Sequence, residues 1–406
     1  MDEVRRTIET VARDSYGRLL AYLSARLRDV AAAEDAIGDA FLTALTTWPR
    51  DGLPAKPEAW LLTAARHRLI DRARKEARWR PLAELTSDLS AAPPGAEDSD
   101  EPFPDERLKL MFVCAHPAID PQLHTPLMLQ TVLGLNAAEI GRAFLIAPAT
   151  MGQRLVRAKS KIRDAGISFE VPEGRELRER LEAVLEAVYA AYSHGWDDAT
   201  GSAPQARDLA EESIWLARVL VQLLSDEPEA RGLLALILHC ESRRGARHSP
   251  DGRYVPLSDQ DPSLWSQRLM QEAESHLAAA AVHARPGRFQ LEAAIQSVHA
   301  DRARTGRTDW QAIVAFYEAL ERIAPTVGAR VGAAAALAEL RGPAEALERL
   351  ETVDAATVAA YQPYWAVRAH VLERLGRRSE ARECFDRALG LTEDGPVRRY
   401  LLERRA

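Results

Sequence analysis

The chain has few cysteines and no long apolar run, and each shortage removes a class of explanation. Its three cysteines, Cys114, Cys240 and Cys384, lie far apart and form no CxxC pair. That usage excludes a disulfide scaffold and predicts buried free thiols in a reducing compartment. No apolar segment reaches the ~20 residues that a membrane-spanning helix needs. The opening stretch, MDEVRRTIET, holds no apolar signal core. A cytoplasmic protein with no membrane partner is expected. Also missing are a glycine-rich phosphate loop, HExxH, GxSxG and any cluster with metal-ligand spacing. No catalytic residue, cofactor or metal is therefore expected. His248, Asp251, Asp259 and Asp261 come nearest to a metal set, but they sit in a polar loop without fixed spacing and read as solvated.

What is present is helical patterning throughout, which predicts an all-α protein. At 406 residues, 47% hydrophobic and 28% charged, the chain is long enough for two or three packed domains. A net charge of −7 argues against a general nucleic-acid coat and leaves room for local basic faces. Residues 1–85 read as the first helical domain. Leu19, Leu20, Leu23 and Leu27 form one stripe; Ala36, Ile37, Ala40, Phe41, Ala44, Leu45 and Trp48 form another, ended by Pro49 and the Asp51-Gly52 turn. A third helix, from Trp60 to about Arg80, carries Arg66, Arg68, Arg72, Arg74, Lys75, Arg78 and Arg80 against only Asp71 and Glu76. Such a face suits a phosphate backbone and unstacked bases. Trp60 reads as core rather than as a base contact.

Residues 86–104 are a linker: the stretch 86–106 holds four prolines, seven acids and no base, and cannot bury a core. Residues 105–170 read as a second helical domain ending in LNAAEIGRAFLIAPATMGQRLVRAKSKI, two helices joined by a tight turn. Ile140 and Phe144 pattern the first helix, and Met151, Leu155, Ala158 and Ile162 the second. Gln153, Arg157, Ser160 and Lys161 face the other way, and Pro148 falls in the first turn, where proline is tolerated. This is the helix-turn-helix arrangement for entering a major groove.

Taken in order, these features resemble a sigma factor of the extracytoplasmic-function group in the bacterial sigma-70 family. AAAEDAIGDAFLTAL (31–45) is similar to region 2.2, WLLTAARHRLIDRARKE (60–76) to regions 2.3 and 2.4, and the helix-turn-helix to region 4.2. Leu145, Ala147 and Gly152 depart from the family's usual glycine, polar cap and basic residue. The resemblance implies two partners, core RNA polymerase and promoter DNA. It implies that Glu34, Asp35 and Asp39 meet polymerase while Ile37 and Phe41 pack the domain. Arg66, His67, Asp71, Arg72, Arg74 and Lys75 would meet the −10 strand, and Thr150, Gln153, Arg154, Arg157 and Lys161 the −35 duplex.

A minimal sigma factor would end near residue 170. Beyond it, 171–285 reads as a helical extension, with Leu177, Leu181, Val184, Leu185 and Val188 as its first stripe. Residues 286–406 resemble tetratricopeptide repeats, most clearly in Trp365, Ala369, Leu372, Gly376, Ala381, Phe385 and Ala388. The combination resembles sigma factors carrying a long tetratricopeptide-like extension that regulates them. Stacked hairpins leave a concave surface free for another polypeptide, so the extension is expected to dock on the sigma-like half or on another protein. The competing reading is a stand-alone helix-turn-helix regulator with a tetratricopeptide-like sensor. That reading has no use for the Arg-rich helix or the acidic linker.

Overall fold

Asp29 starts the second helix by accepting a hydrogen bond from the backbone of Ala32 at 3.1 Å, the ordinary way of satisfying an orphan donor at a helix N-terminus. The computed structural model describes residues 2–76, 105–144, 146–197, 204–392 and 394–405. The expected acidic linker, Arg78, Trp79, Arg80 and Leu145 lie outside the described residues. By internal contacts the chain divides into two units, Met1–His194 and Gly195–Ala406. The described residues are helical and contain no strand. A single antiparallel bridge joins His248 and Tyr254.

In the first unit, α1 (Asp2–Leu27), α2 (Val30–Asp51) and α3 (Pro57–Glu76) form a bundle. Leu19, Leu20, Leu23, Ile37, Ala40 and Ala44 lie in its core, as the periodicity predicts, together with Leu61, Leu62 and Ala65 of α3. Each such leucine contributes about 1.5–3 kcal/mol on burial. Trp60 is partly buried and meets the buried Trp48 edge-on, with ring centroids 5.4 Å apart. α2 runs through Pro49 and stops at Gly52, whose φ of +90° suits a residue without a Cβ. Leu45, expected on the buried stripe, is 44% exposed.

The second bundle of this unit is α4 (Arg107–Cys114), α5 (Pro121–Leu133), α6 (Ala137–Ala143) and α7 (Pro148–Asp164). Asn136 and Glu139 form a reciprocal cap at the start of α6: Asn136 Oδ1 accepts from the backbones of Ala138 and Glu139, and Glu139 Oε2 from that of Asn136. Gly141 is needed for the tight turn into α7, because a Cβ there would lie 2.7 Å from the Ile146 carbonyl oxygen. Pro148 takes the first turn of α7, as expected. Helix α8 (Gly174–Asp197) was expected to open the extension, yet it packs within this unit. The buried Thr125 hydroxyl of α5 donates to the Ala187 carbonyl of α8 at 2.8 Å.

The second unit is built around α10 (Pro228–Ser242), which follows α9 (Pro204–Leu223) and is buried along most of its length. It packs on α11 (Gln267–Ala281) and α12 (Arg288–Ala300). The Glu229 carboxylate of α10 accepts from the backbones of Phe289 and Gln290, at 3.0 and 3.1 Å, so a side chain of one helix caps another. An anion at that end also complements the helix dipole. In the polar loop, Asp251 is held by Ser249 and Arg253, Asp259 accepts from Ser258, and Asp261 caps the backbone of Ser263. Those acids are occupied by the loop itself. Among the described residues no group of three potential ligands could hold a metal ion. The remainder comprises α13 (Trp310–Ile323), α14 (Val327–Leu340), α15 (Pro343–Glu351), α16 (Gln362–Arg374), α17 (Arg378–Gly390) and α18 (Gly395–Arg405). Consecutive hairpins turn at Gly342 and Gly376, with φ of +101° and +74°. Ala369, Leu372, Ala381, Phe385 and Ala388 share one apolar cluster. No helix of the described residues is long and apolar enough to cross a membrane.

Candidate nucleic-acid and polymerase interface

Helix α7 presents two unlike faces. Met151, Leu155, Ala158 and Ile162 are buried, which fixes the rotation of the helix. That rotation leaves Thr150, Gln153, Arg154, Arg157 and Lys161 exposed, so all five residues expected at a −35 duplex lie on the outward side. Amide and guanidinium groups on an exposed helix can read base edges or contact phosphates. Ala147 sits at the N-cap without a side-chain hydrogen bond.

The three acids expected to meet polymerase do not share one environment. Asp35 and Asp39 are exposed on α2, and Asp35 Oδ2 lies 3.2 Å from Arg72 Nη1 of α3. Glu34 is largely buried and forms a short ion pair with the buried Lys159 of α7. Among the described residues its other oxygen, Oε1, has no hydrogen-bond partner. Burial raises the Glu34 carboxyl above its ordinary pKa, while the Lys159 ammonium pulls it back. Glu34 is thus not part of the exposed acidic face. Two residues the sequence reading placed inside or passed over share the ridge with Asp35 and Asp39: Leu42 is 63% exposed and Leu45 is turned outward. Ile37 is buried and Phe41 half-buried, as expected.

On α3, His67, Asp71 and Arg72 are exposed together with Arg68. Arg66 differs. It is half-buried, donates from Nη2 to the Tyr22 hydroxyl at 2.7 Å, and shares that ring with Arg26, whose guanidinium carbon is 3.4 Å from the centroid. Arg66 therefore holds α3 to α1. The side chains of Arg74 and Lys75 lie outside those described. Burial pushes the Cys114 thiol up to about 12, and raises those of Cys240 and Cys384.

Lys159 is the residue the sequence reading missed, although a signal for it existed. It lies four residues after Leu155 and three before Ile162, on the apolar stripe itself. Glu34 stands in the same relation to Val30 and Ile37 on α2. Opposite charges on two inward stripes mark a pair that a contact between the helices can satisfy.

Comparison with known proteins fits this geometry. Residues 11–79 match sigma-70 region 2, and residues 180–281 match a family of unknown function, DUF6596. A Rhizobium meliloti (strain 1021) protein described only as uncharacterized is 38% identical over 389 residues, covering 95% of this chain and 91% of that protein. No solved structure matches. The chain belongs to the same family as the Rhizobium protein, and α1–α3 are a sigma-70 region 2 domain. That domain implies a sigma-factor role in transcription initiation, with core RNA polymerase and promoter DNA as partners.

Proposed function

We propose that this member of the family is a sigma factor of the extracytoplasmic-function type, acting in the cytoplasm and regulated by its own tetratricopeptide-like extension. The observation that carries the reading is the outward face of α7 combined with a region 2 domain in the same unit. Asp35, Asp39 and Leu42 would dock on core polymerase. His67, Asp71, Arg72, Arg74 and Lys75 would meet the −10 strand, with Arg66 setting the position of α3. Thr150, Gln153, Arg154, Arg157 and Lys161 would meet the −35 duplex. All of this is binding energy, with no bond made or broken by the chain. Promoter-dependent initiation by purified core polymerase tests the reading as a whole.

Regulation by the extension is supported by helix α8. It follows the helix-turn-helix bundle directly and is buried against α5. A signal received beyond residue 197 would reach the DNA-reading bundle through α8. Shortening the chain tests it, and the place of the cut matters. A chain ending at Glu173 would strip α8 from the bundle and leave the Thr125 hydroxyl without its acceptor. A chain ending at Asp197 keeps that contact. It is expected to differ several-fold from the full chain in promoter-dependent transcription, at equal concentration and salt. Equal activity would show the extension to be an independent binding module.

A further inference from the structure

The second unit contains a groove of about 1110 Å³ that neither the polymerase contact nor the DNA contacts use. It runs between α11, the end of α12, the start of α13 and the last residues of α14. Gln267, Met270, Gln271 and Glu274 line one wall, at the three- and four-residue spacing of a single helix face. Met270, Val298, Trp310 and Leu340 supply apolar surface. The Trp310 ring is set nearly perpendicular to the His299 imidazole, with centroids 5.5 Å apart. A concave site of this size, apolar with a few polar groups, suits a small ligand.

The lining is acidic. Four carboxylates face the groove, those of Glu274, Asp301, Asp309 and Glu339, against the two guanidiniums of Arg304 and Arg307. Three of the acids are engaged within the protein. Asp301 holds Arg304, Asp309 caps the backbone of Ala312, and Glu339 pairs with Arg374. Glu274 differs: it is half-exposed, accepts from the Ser297 hydroxyl at 2.5 Å, and among the described residues pairs with no lysine or arginine.

Behind Glu274 stands His239 of α10, only 2% exposed, with Nε2 3.4 Å from Glu274 Oε1. Among the described residues neither nitrogen of that ring has a hydrogen-bond partner. A buried polar group left unsatisfied calls for a reason. The neutral imidazole carries one proton, and with that proton on Nε2 it is a donor aimed at the carboxylate. It is within reach and short only of alignment.

We propose that this groove binds a small organic amine, with Glu274 as the counter-ion to its ammonium group and Trp310 against its apolar body. A carboxylate beside an aromatic ring is the combination that recognises an organic cation. His239 is a positioning residue. A small rotation of Glu274 lets Nε2–H donate to one carboxylate oxygen and leaves the other for the ligand. The site does not depend on the sigma-factor reading; under that reading it supplies the extension with a chemical signal.

Calorimetric titration of the full chain with phenethylamine and tryptamine tests the proposal, with phenethyl alcohol as the neutral match and thermal unfolding as the check on every variant. One amine per chain is expected to bind, with the alcohol about tenfold weaker or worse, as the loss of a charge-assisted contact requires. Glu274→Gln keeps the side chain's shape and its bond from Ser297, and is expected to weaken the amine by a similar factor. Trp310→Leu is expected to weaken it several-fold. Glu318→Gln, exposed on α13 and outside the lining, is expected to change nothing. His239→Leu should weaken the amine several-fold, and His239→Gln, which restores a neutral donor, should recover it. No saturable binding of either amine at millimolar concentration overturns the site. Equal affinity for amine and alcohol, or equal loss in Glu274→Gln and Glu318→Gln, overturns the pairing on which it rests. Unchanged affinity in His239→Leu overturns the positioning role.

Discussion

Asp39→Lys combined with Leu42→Asp is expected to reduce core polymerase affinity by about a hundredfold or more while leaving the fold intact. The two residues lie on one exposed ridge of α2, and Leu42 is 63% exposed. A large apolar side chain held in water on a rigid helix gains most when a partner covers it. Interface positions that dominate binding each cost about 2 kcal/mol or more when lost. Reversing an adjacent charge adds repulsion where the partner is basic. Neither side chain supports the bundle, so surface substitutions here should shift stability by only about 0.5 kcal/mol. Glu34 must be left out of such a test, because changing it strands Lys159 and disturbs the unit itself. Core binding measured in solution, with thermal unfolding as the control, checks the expectation. Undiminished affinity would move the polymerase contact off α2.

Acid is expected to weaken the second unit well before its carboxylates protonate. His239 is buried and lowered to about 4, first by desolvation and then by Arg243. His299 is also lowered to about 4, by burial and then by Arg243 and Arg302. The Glu274 carboxylate is 3.4 Å from His239 Nε2, but its side chain is half exposed and forms no hydrogen bond with the ring, so it does not rescue the charge. Both imidazoles are neutral when folded and titrate near 6.5 when unfolded. Between those values the unfolded chain binds more protons, and stability falls as pH falls. The contribution is complete above pH 6.5 and lost as pH drops toward 4. Each histidine accounts for about 2 kcal/mol by pH 5 and about 3 kcal/mol below 4. Denaturant unfolding of the full chain at pH 7 and pH 5, compared with His239→Leu, reads the effect on the second unit's transition. A parent chain whose second transition is unmoved at pH 5 would contradict it.

Much of the fold was legible because helical periodicity survives in this sequence. The stripes on α2 and α7 gave the buried faces of Ile37, Ala40, Met151, Leu155 and Ile162 correctly. The acidic and basic residues outside those stripes then fell on the surface, as periodicity requires. What failed were residues whose placement depends on a second helix. Leu45 lies near the edge of its stripe, and only the angle at which α1 and α3 meet α2 decides that it faces water. Arg66 looked like one more basic residue of α3 until Tyr22 of α1 captured it. Glu34 was read by charge type as a surface group and Lys159 was passed over, although their spacing put both on buried stripes. The packing of α8 on the first unit was hidden for a similar reason. The sequence of α8 differs little from that of the helices after it, and only its contact with Thr125 assigns it to the first unit.

The most direct test of the central claim is transcription from defined components. Core RNA polymerase, the purified chain and a pool of upstream DNA fragments are combined, and the initiation sites are mapped. The account predicts initiation at discrete sites only when the chain is present, from fragments sharing two spaced sequence elements. It also predicts that Arg157→Ala weakens use of the upstream element by about 1–3 kcal/mol in binding if that side chain reads a base. Chain-dependent binding to duplex DNA with no chain-dependent transcript would contradict the account, and would point to a stand-alone helix-turn-helix regulator.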